Sequence, residues 1–79
     1  MWVWHGTTMK KLARYRASKR IFAPVRAWET ITHAERFSRS TQRHVILRLK
    51  FPGSAPKLPG HFNAARVLYR DLPLRNQSL

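Results

Sequence analysis

Four histidines, three carboxylates and sixteen basic side chains make up the chemically capable residues of this 79-residue chain. His5, His33, His44 and His61 are far apart, no two fall at i,i+4, and cysteine is absent. Neighbouring residues therefore cannot assemble a zinc knuckle or thiolate metal site, nor a disulfide framework. Glu29, Glu35 and Asp71 are too scattered to form a paired-carboxylate acid–base device. There is no Gly-x-Ser-x-Gly elbow and no glycine-rich phosphate loop; Gly6, Gly53 and Gly60 read as turn or linker residues. The sequence thus points away from catalysis, metals, cofactors and a small-molecule substrate, and towards a binding protein.

The basic residues carry the positive case. Eleven Arg and five Lys face only three acids, for a formal net charge of +13. Arginine is favoured where planar, bidentate recognition of phosphate matters. The residues expected to meet phosphate are Lys10, Lys11, Arg14, Arg16, Lys19, Arg20, Arg36, Arg39, Arg43, Arg48, Arg66 and Arg70. They alternate along the chain with Trp4, Tyr15, Phe22, Trp28, Phe37, Phe51, Phe62 and Tyr69. Aromatic and guanidinium planes are the surfaces on which unpaired RNA bases stack. The competing role for an aromatic is core packing, and Trp28, Phe51 and Tyr69, which lie on apolar stripes, are read that way.

These side chains need elements to hold them. Met1-Trp2-Val3-Trp4 reads as an apolar, strand-like arm. Thr7 or Thr8 can cap a helix over about 9–22, whose charges run round the whole wheel and leave no clean core-facing stripe. Pro24 suits the first turn of a second helix over about 24–38, with Val25, Ala27, Trp28, Ile31 and Ala34 on one half of the wheel. Over 44–51, Val45, Leu47, Leu49 and Phe51 alternate with Ile46, Arg48 and Lys50, the period of a half-buried strand. A helical continuation from Phe37 stays open, because no Gly or Pro intervenes. Such a strand needs a mate, which only the Trp2-Val3-Trp4 arm or another chain can supply. Residues 52–60, with three prolines and two glycines, read as an extended linker. A short helix over about 63–71, with Asn63 as its cap, and a tail then complete the chain.

This reading divides the chain into a basic region 1–51, a linker 52–60 and a C-terminal segment 61–79, without independent domains. The fold expected is mainly α with extended segments, non-globular, unfolded alone and shaped by its assembly. A chain this short buries only about 60% of its unfolded surface, and dense positive charge opposes compaction further. Trp28, Ile31, Val45, Leu47, Leu49 and Leu68 are expected to face neighbouring proteins. The longest apolar run, Val45-Ile46-Leu47, is too short to span a bilayer.

Residues 1–28 contain no acid, the composition of a mitochondrial transit segment, and an address of that kind is expected to remain uncleaved. With Lys10-Lys11-Leu12-Ala13-Arg14-Tyr15-Arg16, these features resemble the small basic accessory proteins of mitochondrial ribosomes. The resemblance is one of composition over the whole length, so it transfers no individual residue's role. It implies a structural constituent of the ribosome in the mitochondrial matrix, binding rRNA phosphates and bridging neighbouring ribosomal proteins. Two alternatives are a supernumerary subunit of a respiratory complex touching anionic lipid, and a small DNA-binding protein.

Overall fold

Strand β1 (Trp2–Thr7) places Val3, His5 and Thr7 on a buried face and Trp2, Trp4 and Gly6 on the other. It pairs antiparallel with β4 (Val45–Lys50), from Trp2 opposite Lys50 to Thr7 opposite Val45. The Phe51 N–H donates to the Met1 carbonyl (2.8 Å) and prolongs that ladder. The alternating segment is thus a strand, and the aromatic arm is its mate. On its other side β1 meets β3 (Val25–Trp28), with Trp4 opposite Trp28, and β3 pairs with β5 (Ala65–Leu68). The sheet is antiparallel throughout, in the order β4-β1-β3-β5. A small ribbon joins β2 (Arg20–Ile21) to β6 (Leu72–Pro73), followed by a 3-10 turn over Leu74–Asn76. This computed structural model describes residues 1–60 and 64–77; the expected cap Asn63, Phe62 and His61 lie outside the described residues.

Helix α1 (Met9–Ser18) starts at Thr8, whose Oγ1 accepts from the Lys11 N–H at 3.1 Å. It stops four residues short of the expected end because Lys19 adopts the left-handed conformation and donates its N–H to the Tyr15 carbonyl. The expected helix over 24–38 is instead β3 followed by α2 (Ile31–Thr41). Val25 to Trp28 satisfy helical and strand periodicity alike, and ladder partners on both sides decide for the strand. The expected helix over 63–71 gives way to β5 for the same reason: β3 would otherwise leave one edge unpaired.

The expected non-globular, mainly helical fold is overturned by the core these strands create. Val3, Leu12, Tyr15, Ile21, Val25, Leu49 and Phe51 belong to one buried cluster beneath the α1 side of the sheet. Leu12 and Tyr15 thus give α1 the core-facing stripe that its wheel concealed. Helix α2 covers the opposite face. A Cβ on Gly6 would lie 3.1 Å from both the Phe37 ring and Ser38 Oγ, so a larger residue would press α2 outward by a few tenths of an ångström. The radius of gyration, 11.6 Å, equals the value of roughly 12 Å expected for a compact chain of this length. No helix among the described residues is long and apolar enough to cross a membrane.

One sheet edge is capped at its end and the other is covered. The Gln77 carboxamide accepts from the Lys50 N–H (2.7 Å) and donates to the Lys50 carbonyl (3.0 Å) on β4. Along β5, the Leu58 N–H donates to the Ala65 carbonyl and the Val67 N–H to the Pro56 carbonyl, each at 3.0 Å. The proline-rich stretch is therefore docked along an edge strand, with Ala55 buried beneath it.

Such a core should melt cooperatively in isolation, with Phe51→Ala, which empties a fully buried site, costing about 3–5 kcal/mol. Because the net charge opposes compaction, modest added salt should raise the thermal midpoint. Circular dichroism against temperature and urea measures both; a broad, non-cooperative transition contradicts the fold.

Candidate functional site

A cleft of about 480 Å³ opens where β1 and β3 part company beyond the Trp4–Trp28 pair. His5 sits in that split, 7% exposed. Its Nδ1 lies 2.6 Å from the Arg26 carbonyl oxygen, which can only accept, so Nδ1 carries the hydrogen. Nε2 is then an acceptor, and the Tyr15 hydroxyl donates to it in a long contact of 3.5 Å. The ring thereby ties β1 to β3 on one side and to α1 on the other. Burial pushes the His5 pKa below its ordinary value; the hydrogen bond to Arg26 opposes this, and the charges of Arg43 and Lys11 add to the lowering. The imidazole is neutral at neutral pH.

The walls come from both faces of β1. Helix α1 contributes Lys11, Arg14 and Tyr15, and Phe22 follows from β2. On the α2 side stand Phe37, Thr41 and Arg43. Tyr15 and Phe22 are tilted at 58° with ring centres 6.0 Å apart, and the Arg20 guanidinium lies 5.6 Å from the Phe22 centroid. The Arg43 guanidinium lies 5.5 Å from the Phe37 centroid. Arg26 completes a set of four basic residues around the opening, and the described lining includes no carboxylate. The Thr7 hydroxyl, from the same strand end, is buried with no hydrogen-bond partner among the described residues. Chemically, the cleft offers positive charge at its rim, aromatic rings along its walls and a neutral imidazole at its floor.

Of the expected phosphate-binding residues, Lys11, Arg14 and Arg43 reach this cleft. Lys10, Arg16 and Lys19 are exposed on and after α1, Arg36 and Arg39 are exposed on α2, and Arg70 is exposed after β5. Arg48 is exposed on β4, its guanidinium 4.4 Å from the Trp2 ring centre. Arg20 is paired with Asp71 at 3.6 Å. Arg66 is spent internally: it contacts Glu29 at 3.2 Å and donates to the Ala55 carbonyl at 2.8 Å. Of the residues expected to face other proteins, Leu47, Leu49 and Leu68 lie in the chain's own core and Val45 packs against it. Trp28 is half-buried, stacked on His33, while Ile31 is exposed. Tyr69, read as core, is exposed. His5 and Arg26 escaped the sequence reading as site residues. The one available signal was His5 on the buried parity of a strand-like arm.

No protein family, curated protein or solved structure shows a match to this chain.

A histidine whose folded pKa lies below its unfolded value of about 6.5 leaves the unfolded state holding more protons as pH falls. Its contribution to stability is complete above that value and is lost below it. Unfolding free energy should therefore fall by up to about 1.4 kcal/mol per pH unit on acidification through this range. In His5→Gln that component of the slope should vanish. Urea denaturation at several pH values measures the slope, and NMR titration of the His5 ring should give a midpoint below 6.5.

Proposed function

We propose that the protein binds structured RNA through its phosphates and serves as a structural constituent of a ribonucleoprotein particle. The mitochondrial ribosome is the assembly indicated by the compositional resemblance, with rRNA and neighbouring ribosomal proteins as partners. The observation that carries this reading is the state of the basic residues. All of them except Arg43 and Arg66 are exposed, and only Arg20 and Arg66 form ion pairs among the described residues. A solvated surface ordinarily mixes both signs; this one awaits an external polyanion.

The distribution favours RNA over a lipid surface. Arg14 and Arg16 project from α1 and Arg36 and Arg39 from α2, on opposite sides of the sheet. A planar membrane can engage one side of so small a body, whereas folded RNA can surround it. Fixed positions on a rigid sheet and helices would hold RNA segments in a defined relation, which is the task of a structural subunit.

Affinity for a structured RNA should fall steeply with salt, by about 10³–10⁵ between 50 and 200 mM if six to ten phosphates are neutralised. The loss should be nearly independent of base sequence. Replacing Arg16, Arg36 and Arg39 together by Gln should flatten the slope by roughly two to three contacts. Fluorescence anisotropy against matched RNA, duplex DNA and anionic vesicles measures this. A shallow slope, equal binding of the DNA, or effective competition by vesicles would sink the reading.

A further inference from the structure

We infer that the cleft between β1 and β3 is a nucleotide site, receiving a single nucleotide with its base among the aromatic walls and its phosphate on the basic rim. The inference rests on the RNA reading only for the source of that nucleotide; its chemistry follows from the cleft itself. At about 480 Å³ the space falls within the roughly 300–1,000 Å³ typical of small-ligand sites. By charge it favours one class of ligand. Lys11, Arg14, Arg26 and Arg43 contribute to the lining with no described carboxylate among them, so the rim favours an anion. A bare phosphate would meet the rim but leave the apolar interior unfilled.

The interior asks for a flat, heteroatom-bearing ring. Phe22 stands exposed on one side, backed by the buried Tyr15, and the half-buried Phe37 lines the other, so a base entering the split meets aromatic surface from both walls. Bases stack on such surfaces with little regard to sequence. Below them lie two polar groups, one of which an apolar ligand would waste. His5 Nε2 is an acceptor held by its ring's bond to Arg26, and its existing Tyr15 partner is at the limit of hydrogen-bond range. The Thr7 hydroxyl, on a residue 1% exposed and without a partner among the described residues, lies sealed beneath the floor and adds polarity there without meeting a ligand directly. A base edge carries the donors that the His5 acceptor can receive. Arg43, poised at the Phe37 ring, can address phosphate with its N–H groups while its plane keeps the ring contact. An unpaired nucleotide of the bound RNA and a free mononucleotide present the same chemistry, and only experiment separates them.

The test uses the full chain, AMP and UMP as free probes, and two RNA hairpins of equal length, one fully paired and one with a single bulged nucleotide. If the nucleotide is RNA-borne, the bulged hairpin should bind roughly tenfold or more tightly than the paired one at fixed salt. Free AMP or UMP should then shift the His5 ring resonances and erase that preference. Arg14→Gln with Arg43→Gln should abolish the preference. Arg36→Gln with Arg39→Gln, an equal charge loss outside the cleft, should lower both affinities and preserve it. Thermal melts of each variant separate lost binding from lost fold. Binding of AMP or UMP at His5 without a bulge preference would assign the site to free nucleotides. Salt-sensitive RNA binding with no bulge preference and no His5 shift would overturn the nucleotide site while leaving the phosphate reading intact. Nucleotide binding at His5 with no RNA binding would do the reverse.

Discussion

The hydrogen bond from the His5 imidazole to the Arg26 carbonyl is the constraint on which this architecture turns. A side chain, and not a neighbouring backbone amide, meets that carbonyl, and the paired register of β1 and β3 stops at Trp4 and Trp28. A polar ring so deeply buried is tolerable only when its nitrogens are answered. The Nδ1 bond fixes β3 through Arg26, and the longer Tyr15 contact at Nε2 orients α1 towards the ring. The position of α1 then sets where Lys11 and Arg14 stand, and the divergence of the strands sets where Arg43 and Phe37 can face them. Structure and site share one cause.

A second tension runs through the molecule. The interior is that of an ordinary small domain, with Val3, Ile21, Val25 and Leu49 inaccessible to solvent. The exterior carries a formal +13, and the described ion pairs engage few of its cations. The two acids that do engage cations hold the fold's later segments in place: Glu29 anchors Arg66 of β5, and Asp71 meets Arg20 and accepts from the Ala23 N–H at 2.8 Å. The third, Glu35, is exposed on α2. Two of the three carboxylates are thus taken up by folding, and most of the cations have no ion-pair partner among the described residues.

The legible parts of the sequence were those where one period dominated. Val45 to Phe51 alternate in a way that favoured a strand without closing off a helix, and the Trp2-Val3-Trp4 arm was one of two possible mates; the ladder from Trp2–Lys50 to Thr7–Val45 decides both. Thr8 announced the start of α1. Its end was silent, because Lys19 takes a backbone conformation that normally advertises itself through glycine. Val25 to Trp28 and Ala65 to Leu68 fit a helix wheel as well as a strand, and a ladder contributed by residues far along the chain chose between them. The site was legible as a collection of arginines and illegible as a place. Arg66 looked like its neighbours because nothing local reveals that Glu29 lies beside it. His5 looked idle because its value comes from a gap between strands.

Gln77 imitates a strand with a single residue. Its carboxamide presents to Lys50 the acceptor and donor that one residue of an adjoining strand would otherwise offer. On the far rim, Pro56 and Leu58 occupy the corresponding groups of Val67 and Ala65. A second copy seeking to continue the ladder would have to displace the carboxamide at the Lys50 end of one rim or the proline-rich stretch along the other. At those positions, edge-to-edge pairing of lone copies is obstructed by the chain's own residues.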